Sequence, residues 1–491
     1  MDEQRLKNRN MIMYPLGTVG RDMMYCLVTN FLLTYILFTK GLTPAQLGAV
    51  TAIMVAARVF DALNDPVMGN IIENTRSRWG KFKPWLLVGM LLTSLVVYMV
   101  FSTSLRGWSF IALFALFYFG FSIAYTMHDI SYWGMVPALG SDSGTRDQLT
   151  SRATLCAGIG GTLASILIPM LTTGETAIGG SAATAYSVIA LAIGIIAPLF
   201  VCFTLFGVRE HREDTPKKPF SLGLGKVVST IRGNDQLMWI SLIFLIQQVG
   251  NGLIVGGIGS TYIYFTYGYS GGLYSSFSTI GMMATAILMI FYPAISRRIH
   301  RKKLMGIMMI MSTVGYVLML LSGLGMAGSS LGFWVLTLGY MLSNFGQYGF
   351  YLVMMISIIN TVEYNEYKHG TREEAIIASI RPFFTKMGSA LVVVITSVSY
   401  MVFGVTNYTN QISELESAAA GGLIPEAEKL SGIEAIIAGV QGNQSNGLLL
   451  CMVLVPFVLM FISYLLYRKH YILDEEEYDR ICRVIAERKA G

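Results

Sequence analysis

Two aspartates in the middle of an apolar stretch are the residues of this chain best placed to do chemistry. Asp61 and Asp65 lie four positions apart within residues 57–66. On an α-helix that spacing puts both carboxylates on one face. A charged side chain at the centre of a bilayer costs roughly 2.5–3.5 kcal/mol, so acids found there usually line a cavity or an ion path. The pair therefore predicts a site for a small cation, a proton or both.

Two residues with neutral side-chain oxygens could complete this site. Two ionised carboxylates on one face repel each other, and a bound Na⁺ or a shared proton relieves that repulsion. Asn64 and Thr126 add the neutral oxygen ligands that hard cations prefer. We expect Na⁺ at Asp61 and Asp65, with H⁺ or Li⁺ as alternative coupling ions and no other cofactor. The competing interpretation is an ion-pair network that only fixes the helices.

A second polar group surrounds Asp129. Tyr125 and Trp133 lie four residues before and after it, so the three share one helix face. An aromatic plane beside a carboxylate that accepts hydroxyl hydrogen bonds is typical of sugar sites. Arg21 and Asp22, in the first apolar stretch, supply further hydroxyl contacts in this interpretation. The alternatives are an interfacial or core tryptophan and glycine-mediated helix packing around Arg21.

The composition is that of a polytopic membrane protein. The chain has 491 residues, of which 54% are hydrophobic and 13% charged, and its mean hydropathy is +0.57. The net charge of +6 comes without a basic stripe interleaved with aromatics, which argues against nucleic acid as a partner. The five cysteines show no metal-ligand spacing. No hydrolase, zinc-protease or nucleotide-binding motif occurs, so we do not expect an enzyme.

Twelve apolar stretches are long enough to cross about 30 Å of hydrocarbon. They are residues 12–39, 44–73, 83–103, 108–136, 150–172, 185–207, 237–266, 272–296, 303–326, 331–361, 376–404 and 446–468. Lys and Arg concentrate in every second loop and in both termini, so the positive-inside rule places both termini in the cytoplasm. The sequence therefore predicts an all-α membrane protein with twelve transmembrane helices in a cytoplasmic (inner), bacterial cell membrane.

The polar segment 208–236 divides these spans into two groups of six. Each group has a basic loop after its second span, which suggests an internal duplication and the alternating-access plan of transporters. We expect an N-terminal six-helix bundle (1–207), a cytoplasmic middle loop (208–236), a C-terminal six-helix bundle (237–468) and a cytoplasmic tail (469–491). A long extracytoplasmic loop (405–445) carries two stretches with the pattern of short amphipathic helices.

Nine ionisable residues lie inside the predicted spans. Lipid cannot hold them separately, so we expect them to pair around one hydrated interior. The acids are Asp22, Asp61, Asp65 and Asp129, and the bases are Arg21, Arg58, Arg152, Arg381 and Lys386.

Four segments give the chain a resemblance to a known family. They are residues 58–69, 75–85, 126–137 and 363–374. Together they resemble the glycoside–pentoside–hexuronide:cation symporters of the major facilitator superfamily over nearly the whole chain. The resemblance implies two six-helix bundles and symport of a sugar with a monovalent cation.

The resemblance also implies roles for individual residues. The coupling-cation site maps to Asp61, Asn64, Asp65 and Thr126. The sugar contacts map to Arg21, Asp22, Tyr125, Asp129, Trp133 and Arg152. Coupling between the sites maps to Lys386, and Arg58 either shares that role or is a structural ion-pair partner. Cytoplasmic gate elements map to the loops at 75–83 and around 363–372, where Arg372 forms ion pairs with Glu363 and Glu366 in one state and loses them in another.

The C-terminal half departs from the family pattern. Arg381 stands where galactoside carriers have an amide, and Tyr351 stands where they have a tryptophan. We count both as sugar-site residues. With Arg381 included, the five bases inside the predicted spans outnumber the four acids. The excess positive charge favours an anionic sugar such as a uronide or a sulfonated hexose. The alternative is that Arg381 pairs with Glu363 or another acid and never meets substrate.

These observations favour a secondary active symporter that couples Na⁺ or H⁺ entry to uptake of a sugar or glycoside. A lysolipid-type carrier of the same fold is the rival within transport. A membrane sensor without transport activity is the rival from another class. Ion-dependent uptake into vesicles distinguishes the three.

Overall fold

The computed structural model describes residues 3–140, 143–209, 224–296 and 298–490, and within these ranges the chain is helical without β-strands. Twelve long helices, numbered α1 to α12, follow the predicted spans. In the first half they are α1 (Glu3–Cys26, continued by Leu27–Phe31 and Leu32–Thr39), α2 (Pro44–Glu73), α3 (Lys83–Ser102), α4 (Gly107–Gly134), α5 (Ser143–Thr172) and α6 (Ala182–Gly207). In the second half they are α7 (Asp235–Leu253, continued by Ile254–Ile258 and Gly259–Tyr267), α8 (Gly271–Ser296), α9 (Arg301–Gly325), α10 (Ser330–His369), α11 (Glu374–Val402) and α12 (Gly442–His470).

Ten of these helices are long and apolar enough to cross a membrane by length and composition, counting described residues only. The other two are α2 and α7. The middle of α2 carries Arg58, Asp61 and Asp65, and α7 carries three glutamines and an asparagine. Both follow the predicted spans as helices, α7 with one π-helical turn, so the predicted all-α architecture is confirmed.

Capping residues explain where several helices start and stop. Thr43 accepts a hydrogen bond from the backbone of Gln46, whose side chain accepts one from the backbone of Thr43, so a full capping box opens α2. Ser329 caps the start of α10, and Gly370 ends that helix in the left-handed region at φ 72°. α10 thus extends eight residues beyond its predicted end at 361 and carries the predicted gate acids on its last turns.

The leading helix of each half contains a π-helical turn. Leu27–Phe31 interrupts α1 and Ile254–Ile258 interrupts α7. The α-helical pieces that follow are 8 and 9 residues long. The turns thus stand at matching distances from the ends of their helices, as the predicted duplication requires. Each π turn leaves backbone groups outside the regular hydrogen-bond ladder, which makes it a local site for bending.

The helices form two compact units. The first contains Met1–Ser221, Gly268–Ser275 and Gly404–Val440, and the second contains Leu222–Tyr267, Ser276–Phe403 and Gln441–Gly491. The segment between α11 and α12 therefore belongs by contact to the unit built from α1–α6. It forms two short helices, Val405–Ala420 and Glu426–Ala438, at the stretches where the sequence predicts amphipathic helices.

This segment, which we call the cap (residues 404–440), is attached to the first unit by buried polar contacts. Glu416 accepts hydrogen bonds from the backbone N–H of Ala182 (2.6 Å) and the hydroxyl of Tyr269 (3.0 Å). Lys429 donates to the carbonyl of Gly180 (2.8 Å) and lies 3.7 Å from Glu416, and both side chains are fully buried. The cap is thus an integral part of the first unit.

Candidate functional site

Arg21 is the centre of a charged cluster in the first unit. Its guanidinium lies 2.7 Å from a carboxylate oxygen of Asp22 and 3.0 Å from one of Asp129. The same group lies 5.2 Å from the ring centroid of Trp133, within cation–π range. The Arg21 side chain is 6% exposed, whereas those of Asp22 and Asp129 are 20% and 38% exposed. The carboxylates therefore remain reachable by a ligand while the arginine orients them.

Close helix packing fixes this cluster. A Cβ on Gly20 would lie 2.5 Å from the Cα of Ala197, and one on Gly160 would lie 2.1 Å from the carbonyl oxygen of Val19. Only glycine lets α1 approach α6 and α5 so closely. Tyr14 and Tyr132 stack at 4.3 Å and donate to each other's backbone carbonyls at 2.8 and 2.6 Å. These contacts join α1 to α4 beside Arg21.

The predicted cation ligands lie where α2 faces α4. Asp61 is 6% exposed, accepts a hydrogen bond from the hydroxyl of Ser122 and lies 3.7 Å from the guanidinium of Arg58. Asp65 accepts a hydrogen bond from Thr126 at 3.1 Å. The Nδ2 atom of Asn64 is buried, and no described residue accepts a hydrogen bond from it.

One stripe of α4 connects the two groups. It consists of Ser122, Thr126, Asp129 and Trp133, at spacings of four, three and four residues. The first two hold the α2 aspartates and the last two contact Arg21. Thr126 and Asp129 are about one helical turn, or ~4.5 Å of rise, apart. Sequence reasoning missed Ser122, although its helical spacing from Thr126 and Asp129 is the signal that could have found it.

Other predicted residues of the first unit lie around this cluster. Tyr125 stacks on Tyr25 at 5.2 Å. Arg152 is exposed and donates to the carbonyl of Met11 at 3.4 Å, and no ion pair joins it to Asp22 or Asp129 in the described part of the chain. Its role as a sugar contact stays a prediction. His128 is fully buried with its Nδ1 atom 3.0 Å from the carbonyl of Leu86, as expected of a packed histidine.

The predicted site residues of the second unit form a separate aromatic and basic group. Tyr351 packs against Tyr348 with ring centroids 5.3 Å apart, and Arg381 is close enough to Tyr348 to act on it electrostatically. Arg381 is exposed, and no described acid forms an ion pair with it. Lys386 is half-buried farther along α11. The pairing of Arg381 with Glu363 considered from sequence is therefore not formed.

The predicted gate residues do come together at the end of α10. Arg372 contacts Glu363 and Glu366 at 2.9 Å each, and it also contacts Glu374 at 2.7 Å, a partner that sequence reasoning missed. Next to them, burial opposes ionisation of Asp235, but hydrogen bonds from Lys368, Gln236 and Tyr364 outweigh it and lower the pKa of Asp235 to about 2. The end of α10 is thus a network of ion pairs.

Comparisons with known proteins agree with this architecture. A family model described as MFS/sugar transport protein matches residues 13–423. The lactose permease of Lactobacillus helveticus is 28% identical over 418 residues, covering 80% of this chain and 62% of the permease. The raffinose carrier protein of Pediococcus pentosaceus is 29% identical over 407 residues, covering 77% and 60%. The chain therefore spans about three fifths of the length of these relatives.

Other relatives match over more of their own length. The glucuronide carrier protein homolog of Escherichia coli is 26% identical over 436 residues, covering 84% of this chain and 87% of the relative. Among solved structures, a bacterial homologue of the human lysosomal transporter Spinster, in an inward-facing and unoccupied conformation, has a TM-score of 0.63 at 13% identity and covers 95% and 97% of the two chains. The nucleoside transporter NupG has a TM-score of 0.58 at 14% identity, covering 88% and 99%. At these identities the structural likeness shows the fold alone.

Proposed function

Because the chain belongs to the MFS/sugar transport protein family, and its motifs place it with the glycoside–pentoside–hexuronide symporters, we propose that it couples entry of Na⁺ or H⁺ to uptake of a sugar or glycoside. Both termini lie in the cytoplasm of a bacterial cell in this proposal. The observation that carries it is the α4 stripe, in which Thr126, the partner of Asp65, and Asp129, the partner of Arg21, are about one helical turn apart.

The cation binds at Asp61 and Asp65, with Thr126 and the amide oxygen of Asn64 as neutral ligands. Asp61 lies 3.7 Å from the guanidinium of Arg58, and the cation adds a second positive charge beside the two carboxylates. Li⁺ suits the same oxygen ligands as Na⁺, and a proton on Asp65 achieves the same neutralisation. Cation binding fixes the α2–α4 contact and thereby the position of Asp129 on the same face of α4.

The sugar binds at Asp22 and Asp129, with its ring against Trp133. The two carboxylates accept hydroxyl hydrogen bonds, while Arg21 keeps them charged and oriented. Because one ligand organises the helix that holds the other, each raises the affinity for the other, and the two effects are reciprocal. Some relatives are named for a neutral sugar and one for a glucuronide. This range fits a sugar site whose net charge differs from one family member to another.

The second unit supplies the positive charge that makes an anionic sugar the favoured substrate. Among the predicted ionisable residues, the first unit offers four carboxylates against the guanidinium groups of Arg21, Arg58 and Arg152, whereas the second offers Arg381 and Lys386. Arg381 has no acidic partner among the described residues. A guanidinium in that state binds the carboxylate of a uronide or a sulfonate through two parallel hydrogen bonds.

Uptake into reconstituted vesicles tests the cation site. We expect Asp65→Asn to abolish ion-driven accumulation while sugar binding survives. The asparagine side chain carries no negative charge to bind a cation, and it does not accept a proton in this pH range. A potential of 100 mV drives roughly a fiftyfold accumulation when one charge moves with the sugar, so the loss is readily measured. The matched control is Asp147→Asn at an exposed position on α5. Full ion dependence in the Asp65 variant contradicts the assignment.

Competition uptake tests the substrate charge. We expect Arg381→Gln to weaken transport of a hexuronide roughly tenfold relative to the matching neutral hexoside, because the bidentate contact is lost. Arg468→Gln, at the exposed end of α12, removes the same charge elsewhere. Unchanged uronide selectivity in the Arg381 variant removes the anionic-substrate proposal but leaves the symport proposal intact. Uptake of a lysolipid instead of either sugar supports the lysolipid-type carrier.

A further inference from the structure

A cavity of about 620 Å³ opens on the first unit where the loop after α2 meets the end of α6. Its volume is within the roughly 300–1,000 Å³ range of small-molecule sites. The lining residues are Arg78, Trp79, Gly80, Lys83, Leu205, Phe206, Val208 and Arg209. The loop residues among them belong to the segment 75–83 that the resemblance maps to a gate element, but none belongs to the proposed sugar or cation site.

The loop side of the cavity is ordered by its own hydrogen bonds. The hydroxyl of Ser77 accepts from the backbone N–H of Trp79 at 3.1 Å and donates to the carbonyl of Gly80 at 2.6 Å. Gly80 has φ 103°, a conformation that side-chain-bearing residues rarely adopt. The indole of Trp85 donates to Thr75 at 2.7 Å and ties the loop to α3. Arg78 and Trp79 are therefore presented by a defined turn.

The described lining of the cavity contains three basic side chains, those of Arg78, Lys83 and Arg209, and no acidic one. No described acid forms an ion pair with Arg78 or Arg209. Lys83 donates to the carbonyls of Leu205 and Val208 at 2.7 Å each. These carbonyls belong to the C-terminal end of α6, which carries partial negative charge, and the ammonium neutralises it. An anion entering the cavity therefore meets the guanidinium groups of Arg78 and Arg209 among the described lining residues.

Two aromatic side chains stand at the cavity without being buried. Trp79 is 56% exposed and Phe206 is 74% exposed. Phe206 is the penultimate residue of the membrane-crossing helix α6, and tryptophan next to a basic loop is typical of the headgroup level of a bilayer. The site thus combines cations for a phosphate with apolar surface for acyl chains.

We infer that this cavity binds an anionic phospholipid, with its phosphate between Arg78 and Arg209 and its acyl chains against Phe206. Basic pockets at helix ends recognise anionic headgroups in this way. A free phosphate ion shares the charge chemistry but has no use for the exposed aromatics. The bound lipid joins the loop after α2 to the end of α6.

Native mass spectrometry of the full-length protein tests the inference. The probes are phosphatidylglycerol and phosphatidylcholine with identical acyl chains, and thermal shift in the same detergent is the second measurement. We expect the wild type to retain phosphatidylglycerol preferentially, and we expect the double variant Arg78→Gln/Arg209→Gln to bind it roughly tenfold or more weakly because two cationic contacts are removed. The matched control is Arg76→Gln/Arg298→Gln, which removes two exposed charges outside the cavity. Arg78→Gln alone, in the exposed loop, serves if the double variant does not fold.

Three outcomes overturn the inference. The first is equal binding of both lipids by the wild type. The second is equal loss of phosphatidylglycerol in the cavity and control variants, which would indicate net charge alone. The third is displacement of the lipid by millimolar inorganic phosphate, or equal stabilisation by it, which would assign the cavity to a free anion.

Discussion

Arg21 determines which surfaces a sugar can use. Its guanidinium contacts carboxylates on two helices and lies beside an indole ring. A buried guanidinium that binds two carboxylates in fixed directions cannot be replaced by an ammonium, because a lysine lacks the planar fork. The accessible oxygens of Asp22 and Asp129 are thereby aimed away from Arg21. The arginine acts as the positioning residue, and the carboxylates act as the acceptors.

We therefore expect Arg21→Lys to lower sugar affinity roughly tenfold or more, although it preserves the charge. Equilibrium binding to purified protein measures the effect. Arg76→Lys, on an exposed loop residue, is the control. An affinity within twofold of the wild type would show that Arg21 has only an electrostatic role.

Residue types and helical spacing were sufficient to find most members of the site. Asp61 and Asp65 stand out because charge is rare in an apolar segment, and Asp129 because aromatics flank it. The pairing of Arg21 with Asp129 was not predictable from spacing, because the two are 108 positions apart. The contact of Arg152 with the carbonyl of Met11 was not predictable either, because these residues are 141 positions apart.

The close contact between α5 and α1 depends on Gly160, which has only a hydrogen atom where other residues carry a Cβ. A Cβ on Gly160 would clash with the carbonyl oxygen of Val19. Val19 lies on α1, two residues before Arg21. Any side chain at this position must push α1 away from α5. The displaced α1 would carry Arg21 and Asp22 with it. Helix packing and ligand binding are therefore linked at this glycine.

We expect Gly160→Ala to lower the midpoint of thermal unfolding and to weaken sugar binding together, at a cost of about 1–3 kcal/mol for overpacking. The control is Gly161→Ala, because a Cβ there meets no atom within 4 Å. That change should be neutral or slightly stabilising, since alanine favours a helix more than glycine does. Equal effects of the two substitutions would contradict a specific contact.

Helix boundaries were predictable where local chemistry sets them. The predicted span 44–73 coincides with Pro44–Glu73, because Thr43, Pro44 and Gln46 form a recognisable start. The π turns were not predictable from local sequence. Leu27–Phe31 contains no glycine or proline, whereas Ile254–Ile258 contains two glycines. Glycine content alone therefore does not determine where these turns form.

The ion pair of Glu416 and Lys429 holds the cap of the first unit together. Both side chains are fully buried. Burial raises the pKa of the Glu416 carboxyl above its ordinary 4.5, and Lys429 opposes that rise. Removing one partner of a buried pair leaves an uncompensated charge, whereas removing both is far less costly.

We expect Lys429→Met to destabilise the protein by about 3–5 kcal/mol and Glu416→Leu/Lys429→Met to recover most of that loss. Without the lysine, the folded protein holds a proton on Glu416 more tightly than the unfolded chain does. The stability that this proton provides is present at low pH and is lost as the pH rises through the raised pKa. Thermal unfolding at pH 5 and pH 8 should show the larger defect at pH 8. A defect independent of pH, or a double variant worse than the single one, would be inconsistent with this account.

The twelve helices and the division at the middle segment could be predicted from hydropathy and loop charge. The place of the cap could not. Residues 404–440 stand between two helices of the second half, and their contacts with Ala182 and Gly180 span more than 230 positions. Hydropathy describes a segment by itself and carries no information about such distant partners.

The position of the cap also constrains synthesis. Ribosomes deliver Gly404–Val440 only after the whole sixth helix and most of the second half have emerged. At 5–20 residues per second, the chain elongates for on the order of ten to forty seconds between Ser221 and Val440. Throughout that interval the amide of Ala182 lacks its final acceptor. The first unit is thus completed only after most of the second half has been synthesised, and a gene cut in the middle segment yields a first unit without its cap.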